Sequence, residues 1–424
     1  MRSTLKDRRS DSTKIVIIVL AILIIVSLLT FANFRFSKEN PGGNDFLVHW
    51  MGTRMLLLEG ESPYSDKTAS NIQMFAYGHE AQGDEHELRV AYPLYSIIAF
   101  FPFSLISNYD LARALWMTML EIGLLILSYL SLKITDWKPG KATLIIYFLF
   151  SVFWYHAMRP LINGNIVILI ALAIAGILIS IRKKEDELAG VLLAVTTIKP
   201  QVAIVFILFI ILWSFRNRRY KLVGWFVATI FLLSVSAALL VPDWILQNIR
   251  EVVRYPGYNP PGTPGSALMA LLPDLWGRVG TVISGSMILL LVFEWAVMKK
   301  GDYRSFLWTA CVTLAAAQWI GIQTDPGNFV ILFPAIVLLF SVWQERWKKI
   351  GHLLILVNMA VIFIGLWVLF VSTIEYGYQP QQSPIMFFPL PGYLLILFYW
   401  IRYWIKKPDT LWYESIVDQE NQPL

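Results

Sequence analysis

Leu188-Ala189-Gly190-Val191-Leu192-Leu193-Ala194-Val195-Thr196-Thr197-Ile198-Lys199-Pro200-Gln201-Val202-Ala203 opens a 28-residue apolar stretch that runs to Phe215 and is broken by a single charge, Lys199. A membrane crossing takes about 20 apolar residues. The stretch therefore reads either as one long span or as a hairpin of two short ones, 188–198 and 201–215. The choice fixes the side of everything downstream. One span would put the basic clusters Arg216/Arg218/Arg219/Lys221, Lys299/Lys300/Arg304, Arg346/Lys348/Lys349 and Arg402/Lys406/Lys407 outside. Lys and Arg collect in cytoplasmic loops, so the hairpin is the reading, with Lys199-Pro200-Gln201 as a turn below the outer surface. Such a turn is tolerated only where protein or a wet cavity surrounds it. A lysine there is costly enough to suggest a function, such as holding a lipid phosphate. The bland reading is a kinked helix whose lysine snorkels to the surface.

The rest of the chain has the same character. It is 57% hydrophobic, 15% charged and has a mean hydropathy of +0.58, against about 45–50% and 25% for soluble domains. The sequence thus predicts an all-α polytopic membrane protein in which residues 1–424 form one membrane domain. The net charge of +6 comes from basic residues at span ends, a topology signal that argues against nucleic acid as a partner. The lone Cys311 excludes an intramolecular disulfide or a cysteine metal cage. Residues 15–36, after a basic N-terminus and without a small-residue cleavage site, read as a retained anchor.

A second ambiguous segment, 92–107, is apolar but short and broken by Pro102. As a span it would reverse every later loop, so it reads as a helix lying on the outer face. About twelve spans result: 15–36, 110–132, 142–158, 165–181, 188–198, 201–215, 221–241, 279–298, 303–322, 327–343, 350–371 and 388–405. Both termini are then cytoplasmic in the plasma membrane. The outer side receives loop 37–109, with juxtamembrane helices, and loop 242–278, rich in Pro and Gly. No internal repeat is evident, which counts against inverted-repeat transporters. Within the spans, Glu121 is expected to pair in the bundle and Glu294 to reach water near the cytoplasmic end.

Conspicuous polar residues converge on the outer face. Gly43-Asn44-Asp45-Phe46-Leu47-Val48-His49-Trp50 follows the first span. Asp45 and His49 are four apart, on one face of a helix. A carboxylate there can act as a general base with the imidazole beside it; alternatively Asp45 or Asn44 caps the helix starting near Phe46. Segment 46–58 has helical apolar spacing suited to the membrane interface, with Gly60 as its stop and Pro63-Tyr64 as a turn. Arg159-Pro160-Leu161-Ile162-Asn163-Gly164-Asn165 and Gln323-Thr324-Asp325-Pro326 read as outer turns whose Asn165 and Asp325 either cap helices or bind ligand. Arg54, Arg89 and Arg254 lie on the same side. Trp50, Tyr64, Tyr92 and Trp276 are interfacial aromatics first and sugar platforms second. No Walker, dinucleotide or zinc pattern occurs.

Taken in order, these motifs resemble glycosyltransferase family 87. The likeness rests on Asp45-Phe46 with Trp50, Gly52, Arg54, Gly60 and Pro63-Tyr64. It continues through Tyr92-Pro93-Leu94, Gly164-Asn165, Ala189-Gly190 before Lys199-Pro200, and the late turn with Asp325. The resemblance implies a GT-C-like bundle similar to the polyprenol-phosphate-mannose-dependent α-1,2-mannosyltransferases. It implies inverting transfer of a hexose, mannose foremost, from a polyprenyl-phosphate donor to a glycolipid or glycan hydroxyl on the extracytoplasmic side. Asp45 would be the base, with no obligatory metal or other cofactor. Lys199 and Arg159 would meet the donor phosphate. His49, Arg54, Tyr64, Tyr92, Asn165, Gln323 and Asp325 would line the sugar and acceptor sites. The chain departs from the family pattern where Gly164-Asn165 replaces Gly-Gln, where Pro93 stands without a second proline, and where His49 replaces a commoner tyrosine. The competing functions are a lipid or sugar transporter or flippase, and a surface-glycan polymerase or ligase.

Overall fold

In the computed structural model the chain is helical nearly throughout, apart from a short antiparallel pairing of Glu375–Tyr376 with Pro380–Gln381. The structure describes all residues except 1, 84, 258–261, 274–276, 377–379 and 407–424, so Trp276 lies outside the described residues. Helix α1 (Arg2–Glu39) is exposed along residues 14–25 and docks its last turns on α5. The segment before α5 then supplies α2 (Asn44–Arg54), α3 (Asp66–Tyr77) and α4 (Ile97–Ser104). The bundle proper runs from α5 (Tyr109–Thr135) through α6 (Lys141–Phe153), α7 (Tyr155–Asn163) and α8 (Val167–Lys183). It continues with α9 (Asp186–Val195), α10 (Pro200–Arg216), α11 (Tyr220–Leu240) and α12 (Trp244–Arg254). The last helices are α13 (Pro264–Leu271), α14 (Gly277–Val297), α15 (Tyr303–Ala317), α16 (Phe333–Thr373) and α17 (Pro389–Lys406).

The stretch 188–215 is a hairpin. Asp186, which opens α9, pairs with Arg219 just beyond α10, and Arg219 also donates to Ile181 O at 2.8 Å. Lys199, between the two helices, reaches Asn165 at the far end of α8. The chain thus leaves one end of the bundle, turns at Lys199 and comes back. Proline at the first position of α10 sets the turn, since it has no N–H to leave unsatisfied.

The helix in segment 92–107 is too short to span. A 3₁₀ turn at Leu94–Ser96 leads into α4, whose eight residues rise only about 12 Å. The indole of Trp50 donates to Phe103 O and Ile106 O, both at 3.2 Å, and pins α4 on α2. That packing corrects the expectation for the start of 46–58, whereas Leu57 and Leu58 at its end are exposed. Phe46, Leu47, Val48, His49 and Trp50 are all buried, so α2 sits inside the protein rather than along a membrane interface. Its end is as expected: Gly60 has φ 67° and closes the helix.

Among the described residues, six segments are long and apolar enough to cross a membrane, or seven if α6 and α7, bent by 44°, count as one. About twelve were expected, and the difference has a physical origin. α9 and α10 stop short at the polar turn of Lys199. α8 and α15, at 17 and 15 residues, are sheathed by other helices. The 41 residues of α16 are two helices folded back at Lys348 (φ 45°, ψ −108°). Phe333 packs on Trp154 and Trp367 donates to Phe153 O, whereas His352 meets Thr143 at the other end of α6. Within the bundle, Glu121 accepts from Asn33 of α1 at 2.8 Å, as expected. Glu294 does not reach water: it is fully buried, bonded by Tyr399 at 3.0 Å and Arg402 at 2.9 Å. A carboxylate at that depth needs a counter-charge, and Arg402 supplies it.

Candidate active site

Helix α2 begins after Gly43, whose φ of 77° turns the chain into the helix without any side-chain cap. Asp45, in the first turn, is therefore not the cap. Its Oδ2 accepts from Nδ2 of Asn163 and from Nδ2 of Asn165, the latter at 2.9 Å. Both bonds fall on one oxygen, and among the described residues none donates to Oδ1. The two amides flank Gly164, which closes α7 with φ 71° and lies so near α2 that a Cβ there would stand 2.5 Å from Cβ of Phe46. Only glycine permits that approach.

Asn165 does more than orient Asp45. Its Oδ1 accepts from Lys199 Nζ at 2.8 Å and from Val167 N at 2.9 Å. It takes the first N–H of α8 from one residue before the N-cap Ile166, and it also joins carboxylate to ammonium. A carboxylate only accepts and an ammonium only donates, so the amide has one workable orientation between them. Lys199 is 4% exposed, and its Nζ stands 5.5 Å from the Tyr92 ring centroid. An ammonium carries three N–H donors, and among the described residues Lys199 uses one of them.

His49, one helical turn beyond Asp45, stacks on Tyr92 at 4.1 Å and on Phe100 at 4.7 Å. Burial, and then the Lys199 charge, push its pKa down to about 3. It is a neutral ring in an aromatic layer and makes no bond to Asp45. The Tyr92 phenol is pushed well up by burial, and further by Asp45, Tyr255 and Asp325. Tyr64 fixes this layer by donating to Tyr92 O at 2.7 Å.

The second charge pair closes the same end of the bundle. Arg159 Nη2 lies 3.5 Å from Asp325 Oδ2, while Asp325 Oδ1 accepts from Gly327 N at 2.6 Å. Enclosure would raise the Asp325 carboxyl, but the Arg159 charge and the Gly327 N–H hold it below the ordinary carboxylate value. Asp325 is therefore both helix cap and ion-pair partner. Gln323 lies against Gly262, and Thr324 N donates to Gly262 O at 2.8 Å, which ties this turn to loop 242–278.

The structure thus brings Asp45, Tyr92, Asn165, Lys199, Arg159 and Asp325 together, with His49 behind Tyr92 and Gln323 at the edge. Arg54 is elsewhere: it donates to Ser104 O at 2.7 Å and stacks on Trp50. Lying nine residues beyond Asp45 along α2, it serves the α2–α4 contact. Tyr64 acts through Tyr92. Two groups escaped the sequence reading as site members. Asn163 was visible in the outer turn, but nothing local links it to a carboxylate 118 positions earlier. Tyr255 follows the amphipathic α12 and comes near enough to Tyr92 to push its phenol up, a proximity that only tertiary packing creates. Arg89 and Arg254 are committed to Glu251 and Glu87, stapling α12 to the first loop.

The model of glycosyltransferase family 87 matches residues 91–320, more than half of the 424 residues. This chain belongs to glycosyltransferase family 87. No curated protein and no solved structure matches it. The family 87 match takes in Tyr92, Arg159, Asn165 and Lys199. Asp45, His49, Arg54 and Tyr64 precede it, and Gln323 and Asp325 follow. The bonds from Asn163 and Asn165 attach Asp45 to the matched part. Family membership and the apolar helices indicate a membrane glycosyltransferase.

Proposed function

We propose that this family 87 enzyme transfers a hexose, with mannose the first candidate, from a polyprenyl-phosphate carrier to a hydroxyl of a glycolipid or glycan. The observation that carries the reading is the Asp45 carboxylate, held through Oδ2 by two amides and open at Oδ1, one amide away from a buried ammonium. A base must be oriented yet free to take a proton. Oδ1 takes the acceptor proton as the acceptor oxygen bonds to the anomeric carbon. The bond from that carbon to the carrier phosphate breaks, and its electron pair leaves with the phosphate. Attack opposite the leaving group inverts the centre. Lys199, with N–H donors to spare, meets the growing phosphate charge. Arg159 joins it by exchanging part of its contact with Asp325. No metal is obligatory in this scheme.

The basic clusters gather at the opposite end of the bundle from Asp45, which supports an extracytoplasmic site in a multi-pass plasma-membrane protein with cytoplasmic termini. A lipid carrier then reaches Lys199 from within the bilayer, and the acceptor comes from outside.

The test is turnover of radiolabelled polyprenyl-phosphate sugars, mannose included, by purified wild type and Asp45→Asn with membrane lipid extract as acceptor. The variant should fold and bind donor but lose at least about 100-fold in kcat. Wild-type turnover by Asp45→Asn would sink the assignment.

A further inference from the structure

Three side chains of α5 meet the two turns that carry the site. Tyr109 donates its hydroxyl to Gly42 O at 2.8 Å and approaches Gly43 O at 3.2 Å. Arg113 donates through Nη1 to Asn40 O at 2.8 Å and through Nη2 to Ile162 O at 3.1 Å. Trp116 donates its indole N–H to Gly164 O at 2.8 Å, and its ring stacks on Phe46 with centroids 5.4 Å apart. Positions i, i+4 and i+7 fall within about 60° on a helix, so these groups form one stripe.

Their targets are backbone atoms on either side of the residues argued to do the chemistry. Asn40, Gly42 and Gly43 precede Asp45, and Phe46 follows it. Ile162 precedes Asn163, and Gly164 separates Asn163 from Asn165. None of the three side chains touches the Asp45 carboxylate. Arg113 is 1% exposed, bonds only carbonyls, and has an Nε without an acceptor among the described residues. A buried guanidinium with Asp110 nearby but, among the described residues, no carboxylate bonded to it is an expensive way to hold two loops. Its planar fork is nevertheless the one side chain able to span both at fixed geometry. Gly43 makes room for it, since a Cβ there would stand 2.5 Å from Arg113 Nε.

We infer that Tyr109, Arg113 and Trp116 are positioning residues, a rigid stripe that sets the distance from Asp45 to Asn163 and Asn165. The inference rests on the reading of Asp45 as base. A stripe of this kind acts on the transition state, where a displacement of about 1 Å matters, more than on capture of the donor.

The experiment compares Arg113→Met, Arg113→Lys, Trp116→Phe and Tyr109→Phe with wild type, using radiolabelled polyprenyl-phosphate mannose and membrane lipid extract. Arg113→Met should lose about 100-fold in kcat and Trp116→Phe about tenfold, with donor KM within about twofold of wild type. Arg113→Lys keeps the charge but loses the fork, and should not restore kcat. Tyr109→Phe should give the smallest loss. Hydrogen exchange should rise in peptides covering 40–46 and 160–166 of the folded variants and stay unchanged elsewhere.

Wild-type kcat in Trp116→Phe and Arg113→Lys, or a loss confined to donor KM, overturns the inference. If Arg113→Met fails to fold, the two conservative aromatic changes decide the matter. Activity surviving in Asp45→Asn would instead overturn the reading of the base, so the two failures are distinguishable.

Discussion

The two ends of the bundle treat charge differently. At the end away from the site, charges meet directly: Asp186 with Arg219, Arg182 with Asp136 at 2.5 Å, Arg304 with Glu345 at 2.5 Å, and Arg402 with Glu294 at 2.9 Å. At the site end Arg159 and Asp325 also meet, at 3.5 Å, but Asp45 and Lys199 are kept apart by the amide of Asn165. A direct pair fastens two helices and leaves little capacity for a ligand. A bridged pair leaves an open carboxylate oxygen and unused N–H groups in the same small volume. The first arrangement holds helices together and the second keeps reactive groups available.

Asp45→Asn, with its kcat loss of at least about 100-fold, is the strongest attack on that contrast. Arg402→Met comes next, at the other end. It removes the arginine that pairs with the fully buried Glu294 at 2.9 Å and should cost about 3 kcal/mol. Thermal unfolding in detergent should register the loss while donor KM stays unchanged; a raised KM with intact stability would erase the division between the ends. Lys199→Met should raise donor KM by about tenfold or more, since a charged hydrogen bond to phosphate is worth about 1.5–3 kcal/mol. An unchanged KM would place the phosphate elsewhere.

The smallest effect concerns His49. Its folded pKa is about 3, against 6.5 for the free side chain. Between those values the unfolded state binds more protons, so stability falls as pH is lowered through that window. His49→Phe keeps an aromatic ring and removes that contribution. Unfolding midpoints of wild type and variant should therefore differ increasingly below pH 6.5. Parallel profiles would show that His49 is not held neutral.

The hairpin at Lys199 was legible because charge counting is a whole-chain argument that needs no contacts. The convergence of Asp45, Arg159, Asn165, Lys199 and Asp325 followed from topology alone. What stayed hidden depended on tertiary geometry. Periodicity gave α2 an apolar face but did not distinguish a membrane interface from a protein interior, because both accept Phe46 and Trp50. Arg54 carried the right charge on the right side, yet its place at the far end of α2 sends it to Ser104 O. Glu294 near a span end reads as solvated, and only the packing of α17 shows that Arg402 covers it. The amides on Asp45 come from 118 and 120 residues away, a link that no local pattern encodes.

That separation along the chain has a bearing on biogenesis. Asp45 is made soon after the first helix, whereas Asn163 and Asn165 follow only after α5, α6 and α7, Lys199 after α9, and Asp325 after α15. No nascent intermediate can hold the finished constellation, because its members belong to segments inserted at different times. Until then Asp45 lacks the two amides that orient it in the finished fold. The proposed site is therefore completed late in synthesis, once the helices behind it have docked.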